Sequence, residues 1–533
     1  MNRAAPFALA LLAAALAAGC SKRASEPAAA SAPVSASAPT AKHAPADGGI
    51  DWQRAAGDAE VDAAFARAKA ESKPVFVYWG AKWCPPCNQL QATLFNRQDF
   101  IERSRSFVAV YVDGDQPGAQ KLGTRFAVRG YPTTVLFDRD GRELTRLPGE
   151  VDAQQYNELL GVALTAQRPA RELLAAARSG GQGLAEADWR LLAGYSWETD
   201  QQQLAGKQAL APLLRELAAA CPQTSPVLAD SAMRLRLKAL AAGDAKAGPV
   251  ADAPAQREAV LALLADPVRA RRFVDLLAGS APELVSALAA AQAPERTTLV
   301  TALDTALGRL QTDSSLSRVD RLVALVARLK LAVPGALPAL QVEVREMAAR
   351  FDAEIRDGYE RQAVITTAAW ALEQAALIDE SDALLKANLA KSHSPYYLMS
   401  DLADNAKKRG DKAAALDWSA KAYEKSVGTA TRLQWGASYL RMLTELAPKD
   451  AKRIEAVAAK LIDEAAAQPD AFDARSGRSM QRVGKLLRDW DPLGEQAALQ
   501  RRLQKRLDAV CTKLPAGDAR TLCDGVFKPG ATT

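Results

Sequence analysis

A change of pattern near residue 167 constrains this chain of 533 residues more than any other feature. Before it, apolar runs suited to buried strands alternate with stretches of three-and-four apolar spacing. That alternation predicts an α/β sheet unit over 51–167. After it, from Arg168 onward, strand signal almost disappears and Ala, Leu, Arg, Glu and Asp dominate. Leu322, Leu325, Val326 and Leu329 are typical of the helical spacing there. Gly and Pro clusters at 179–183, 243–254 and 334–338 cut the tail into separate helices. The expected fold class is an α/β domain followed by a large all-α, solenoid-like region over 168–533.

Composition narrows the function classes. Apolar residues make up 49% and charged residues 24%, an ordinary globular balance. Lys and Arg number 68 against 62 Asp and Glu, with no long run of one sign, so nothing points to nucleic acid. Two histidines exclude a multi-histidine metal centre, and six cysteines become the residues to follow. No cofactor is expected.

The N-terminus predicts export. Met1-Asn-Arg3, the apolar run from Ala4 to Ala18 and the small residues before Cys20 form a signal peptide too short to span a bilayer. Leu16-Ala-Ala-Gly-Cys20 resembles the lipobox of bacterial lipoproteins, which implies cleavage before Cys20 and lipidation of its sulfur. Ala17 stands where that family prefers Leu. Ser21, rather than an aspartate, implies anchoring at the outer membrane on its periplasmic side. Residues 21–50 are Ala/Ser/Pro-rich and predict a disordered tether.

Within the α/β unit, Pro74-Val-Phe-Val-Tyr-Trp79 and Phe107-Val-Ala-Val-Tyr-Val112 read as buried strands. Between them, where a strand turns into a helix, sits Trp83-Cys84-Pro85-Pro86-Cys87. Cysteines three apart close a small ring only when the first caps a helix and the second lies one turn in. At the cap, unsatisfied N–H groups and the helix dipole favour a thiolate. Cys84 is therefore expected to be the exposed, attacking sulfur and Cys87 the buried resolving one. Pro85 and Pro86 remove two N–H donors and leave those of Cys87 and Asn88, which predicts a reducing site. Zinc would need a second ligand pair, and haem attachment would need histidine at position 88.

Downstream, Gly130-Tyr131-Pro132-Thr133 precedes a third strand, Thr133–Phe137. With both motifs in place, residues 51–167 resemble the thioredoxin superfamily, in particular periplasmic thiol:disulfide interchange and disulfide isomerase domains. The resemblance implies a redox-active Cys84–Cys87 disulfide, a cis Pro132 beside it, and substrate binding by Trp83, Tyr131 and Pro132. Tyr78 and Gln91 stand where members of the family carry acidic residues. Without a carboxylate near Cys87, resolution of a mixed disulfide is expected to be slow.

In the tail, Ala403, Ala415 and Ala422 with Gly410, and Ala371, Ala383 and Ala390 one period earlier, resemble tetratricopeptide repeats around 360–470. Trp370, Trp418, Trp435 and Trp490 read as core, and His393 as structural. Cys511 and Cys523 are candidates for a structural staple worth about 3 kcal/mol. Cys221 reads as a buried small hydrophobe or a partner for Cys84.

These readings combine into an exported protein-disulfide reductase or isomerase. Its expected partners are client proteins with disulfides or thiols, an upstream membrane electron donor, and a membrane through the lipid anchor. The alternative is an envelope scaffold whose thioredoxin-like fold binds without turnover.

Overall fold

The computed structural model describes residues 49–149, 152–197, 200, 203–244, 246–491 and 493–528. The signal peptide, Cys20 and most of the tether lie outside them.

The α/β unit is a five-stranded sheet in the order β1-β3-β2-β4-β5. Its strands are β1 (Trp52–Ala55), β2 (Val75–Gly80), β3 (Val108–Asp113), β4 (Thr133–Phe137) and β5 (Glu143–Leu147). β1 and β2 run parallel to β3, and β4 pairs antiparallel with both β2 and β5. Every residue of β2 is buried, as its unbroken apolar run requires. The pleat sends Val75, Val77 and Trp79 to one face, against Val61, Ala64 and Leu122 of α1 (Asp58–Glu71) and α4 (Ala119–Arg125). Phe76 and Tyr78 face the other way, toward α2 (Pro85–Thr93), α3 (Gln98–Ser104) and α5 (Ala153–Leu164). Asp152 caps α5, its carboxylate accepting the N–H groups of Gln154 and Gln155. β1 and α3 carry no clear pattern in the sequence.

From Ala170 to Gly525 the described residues form helices joined by turns and loops. The second face of the sheet and the helical region share one apolar core, which runs from Phe76, Leu90 and Tyr156 through Trp189 and Leu213 to Leu461 and Leu507. The change of pattern at residue 167 is thus a change of secondary structure and not a gap in packing. Cys511 ends the helix Ala497–Cys511 and Cys523 lies in the helix Asp518–Gly525. A disulfide joins them, with Cα atoms 5.6 Å apart. Among the described residues, no helix is long and apolar enough to cross a membrane.

Candidate active site

Register brings the two motifs together. Trp79, near the end of β2, pairs with Thr133 at the start of β4, so the Cys84 loop and the Tyr131–Pro132 loop leave the same end of the sheet. The Tyr131–Pro132 bond is cis. The Trp83 and Tyr131 rings meet edge-on with centroids 6.0 Å apart.

Cys84 is the N-cap of α2, and Pro85 and Pro86 open the first turn with φ already helical. The Cys84 sulfur accepts one backbone hydrogen bond, from the Cys87 N–H at 3.3 Å. The Asn88 N–H, expected at the same sulfur, goes instead to the Cys84 carbonyl at 3.0 Å. The Asn88 side chain clamps the loop further, its Nδ2 donating to the carbonyls of Cys84 and Lys82. Cys84 and Cys87 are both free thiols.

Cys84 is not exposed. It is 3% accessible, against 2% for Cys87, because the helical region covers the dithiol. Three helices do this: Pro395–Lys408, Thr429–Leu446 and Ala474–Trp490. Tyr397 stacks on Trp83 with centroids 6.0 Å apart, and Trp435 meets Trp83 edge-on at 6.1 Å. The Arg475 guanidinium lies 4.8 Å above Trp83 and 4.5 Å above Tyr131. Enclosure reverses the expected electrostatics at Cys84. Burial raises its thiol well above the usual range, and the adjacent Cys87 adds to this. The Cys87 N–H and Arg475 pull the other way.

Polar contacts hold the cover in register. Asp115, in the loop after β3, accepts Trp83 Nε1–H at 3.0 Å, Thr431 N–H at 2.9 Å and Thr431 Oγ1–H at 2.7 Å. Gly428 permits this approach, since a side chain there would fall 2.6 Å from the Asp115 Cβ and its φ is +100°. Gln120 is fully buried. It donates to Tyr131 Oη at 3.0 Å and accepts the Arg475 N–H at 2.9 Å. Its own N–H donates to Asp470 at 2.8 Å. On the far side of α2, His393 Nε2 pairs with Asn88 Oδ1 at 3.1 Å, which gives the histidine the partner that the sequence leaves unnamed. Gln89 donates to Ser317 and Asp320, at the start of the helix Arg318–Leu331.

A cleft of about 420 Å³ opens beside the Pro85–Pro86 turn, between the helices Gly358–Gln374 and Pro395–Lys408. Tyr397 forms part of its wall, and Glu373, Asp401, Asp404 and Lys408 supply its charge. Burial and the neighbouring Asp404 raise the Asp401 carboxyl well above its usual range, with Lys408 opposing. At Tyr78, where the thioredoxin superfamily usually has an acid, the phenol is buried in the same core as Cys84 and Cys87. Burial raises it above the normal tyrosine range, so it stays neutral.

The structure therefore gathers Trp83, Cys84, Cys87, Tyr131 and Pro132 into one site. Cys511 and Cys523 lie apart from it, at the C-terminal end of the chain. Cys221 caps the end of the helix Leu210–Ala220, with its thiol against the Leu228 carbonyl at 3.5 Å, and is not among the residues around Cys84. Sequence reading missed Asp115, Gln120, Tyr397 and Arg475; Trp435 is core, as expected, and also packs on Trp83. A cis Tyr-Pro bond beside a Cys-x-x-Cys helix cap, on this sheet order, decides the fold.

The α/β unit is a thioredoxin-like domain. Residues 61–163 match the family model of that name. The chain is 30% identical over 121 residues to thiol:disulfide interchange protein DsbD 1 of Pseudomonas aeruginosa, covering 22% of this chain and 20% of that protein. It is 32% identical over 91 residues to DsbD of Actinobacillus pleuropneumoniae, covering 16% of each. It is 31% identical over 123 residues to DsbD of Ralstonia nicotianae, covering 22% of this chain and 20% of that protein. The chain thus spans about a fifth or less of the length of these relatives. The likeness supports a function of the thiol–disulfide oxidoreductase type, exercised on partner proteins.

Proposed function

We propose that the protein is an exported protein-disulfide reductase or isomerase that works through Cys84 and Cys87. The observation that carries this reading is the Cys84 sulfur at the N-cap of α2, holding the Cys87 N–H, with the Cys87 thiol one turn behind it. The Cys84 thiolate attacks a client disulfide, a mixed disulfide forms, and the other client sulfur leaves as a thiolate. Cys87 then loses its proton and attacks the Cys84 sulfur, which releases the second client thiol and closes the Cys84–Cys87 disulfide. Two electrons have passed to the client. An upstream membrane dithiol returns them, and if the client attacks first the same exchange isomerises its disulfides. In this reading Trp83, Tyr131 and Pro132 contact the client, and the tetratricopeptide-like helices around 360–470 help recognise it. A lipid on Cys20 anchors the chain at the periplasmic face of the outer membrane.

A second reading has one specific observation in its favour. Cys84 is enclosed by Tyr397, Trp435 and Arg475, as a binding module without turnover would be. Insulin reduction separates the two. Turnover lost in Cys84→Ser supports the oxidoreductase, and a wild-type chain without turnover supports the envelope scaffold. Loss of membrane association in Cys20→Ser tests the anchor.

A further inference from the structure

We propose that Arg475, supplied by the helical region some 390 residues beyond the dithiol, is the positioning residue whose positive charge sustains the Cys84 thiolate. The inference rests on the oxidoreductase reading of Cys84 and Cys87.

The geometry is specific. The guanidinium lies 4.8 Å over the ring of Trp83, the residue before Cys84, and 4.5 Å over the ring of Tyr131, the residue before Pro132. It bridges the two loops that frame the dithiol. Aromatic faces attract a cation but leave its charge intact. The helix backbone is pinned at this point, since Arg475 N–H donates to the buried Gln120. One turn on, Arg478 donates to the Arg129 carbonyl at 2.7 Å. The guanidinium also hydrogen-bonds Gln434, a neutral acceptor. Among the described residues Arg475 makes no ion pair, in a chain whose other arginines form many. The buried anion that feels its charge, Asp115, is already held by Trp83 and Thr431, so ionisation of Cys84 would give the guanidinium a second, uncommitted anion.

Of the neighbouring cations, Arg478 is committed to the Arg129 carbonyl and Lys82 to solvent. Cys87 on α2, Tyr78 on β2, Tyr131 before β4 and Tyr397 from the 395–408 helix are neutral or acidic groups. Asp115 approaches through Trp83 and opposes a thiolate. The 429–446 helix presents Trp435, which does not titrate. Lys82 is exposed on the rim, and Glu373 lies out in the cleft beyond Pro85 and Pro86. Arg475 is the cation that acts on Cys84, in the same sense as the single Cys87 N–H. With Pro85 and Pro86 removing the other first-turn donors, the helix terminus alone is a weak source of positive potential. The helical region repairs that deficit while it covers the site.

The test is the rate of iodoacetamide alkylation of Cys84 in the full chain as a function of pH, read by mass spectrometry of its peptide. Arg475→Gln is expected to move the midpoint up by about one pH unit and to slow alkylation at neutral pH about tenfold, the consequence of a one-unit shift. Arg475→Lys is expected to restore most of the wild-type midpoint, and it decides the matter if the Gln variant fails to fold. An unchanged midpoint with faster alkylation at every pH would make Arg475 a cover only and overturn the proposal. Insulin reduction by the wild type, run in parallel, keeps the two claims separate. No turnover with a shifted midpoint would sink the oxidoreductase reading, whereas turnover with an unshifted midpoint would sink the role of Arg475.

Discussion

Two cysteine pairs in one chain meet opposite fates. Cys84 and Cys87 sit on a single helical turn, as thiols, among an N–H donor, a guanidinium and a phenol. Cys511 and Cys523 sit on two helices, joined, in the apolar core with Leu503, Leu507 and Val526. Both pairs are buried, so burial does not separate a working dithiol from a staple. The difference is the polar surroundings. A sulfur that must ionise needs nearby donors and positive charge, whereas a staple needs neither.

The largest effect should come from breaking the first pair. Cys84→Ser is expected to abolish disulfide turnover, and Cys511→Ser/Cys523→Ser to leave it within about twofold, the usual range for a change remote from chemistry. Comparable losses in both would erase the contrast. Stability should follow the reverse pattern. Removing the staple is expected to cost about 3 kcal/mol in denaturant unfolding, because it frees a loop of sequence separation 12. Cys84→Ser should cost about 1 kcal/mol or less, because the serine hydroxyl still accepts the Cys87 N–H at the N-cap.

The polar side of the contrast should appear as pH dependence. Burial, opposed by hydrogen bonds from Thr431, pushes the Asp115 carboxyl up to about 6, above its unfolded value of 3.8. A carboxyl raised in the folded state contributes stability that is whole below about 4 and is lost as pH rises through about 6. Asp320, against Gln89, is also pushed up to about 6 by burial. Asp115→Asn should therefore flatten part of the stability decline between pH 4 and 7, on the order of 2 kcal/mol. An unaltered slope would show that Asp115 ionises freely.

The smallest effect is at the far side of α2. His393→Ala removes the contact with Asn88 Oδ1, and is expected to cost about 1 kcal/mol and to alter the Cys84 alkylation rate only a few-fold. A large change in reactivity would place His393 inside the site.

How much of this was legible follows from the range of each interaction. The buried run of β2, the Cys84 cap and the Tyr131–Pro132 pair are local signals, and each fell where pattern and turn chemistry placed it. β1 is four residues with one buried side chain, and α3 has seven residues with two, too little periodicity to detect. The helices of the tail were legible, but their docking was not. Nothing in the neighbourhood of Arg475, Trp435 or Tyr397 marks them as neighbours of a cysteine more than 300 residues earlier. That long-range docking is also why Cys84 read as exposed. An N-cap sulfur is open unless something distant covers it.

The account turns on Cys84 and Cys87 cycling as a pair while the staple stands apart. Equilibrating the full chain in graded glutathione buffers, then alkylating and mapping all cysteines by mass spectrometry, tests this directly. The account predicts that Cys84 and Cys87 pass together between dithiol and disulfide in one two-electron step, with Cys511 and Cys523 remaining joined throughout. Finding Cys84 and Cys87 as thiols in every buffer, or opening in step with the C-terminal pair, would contradict it.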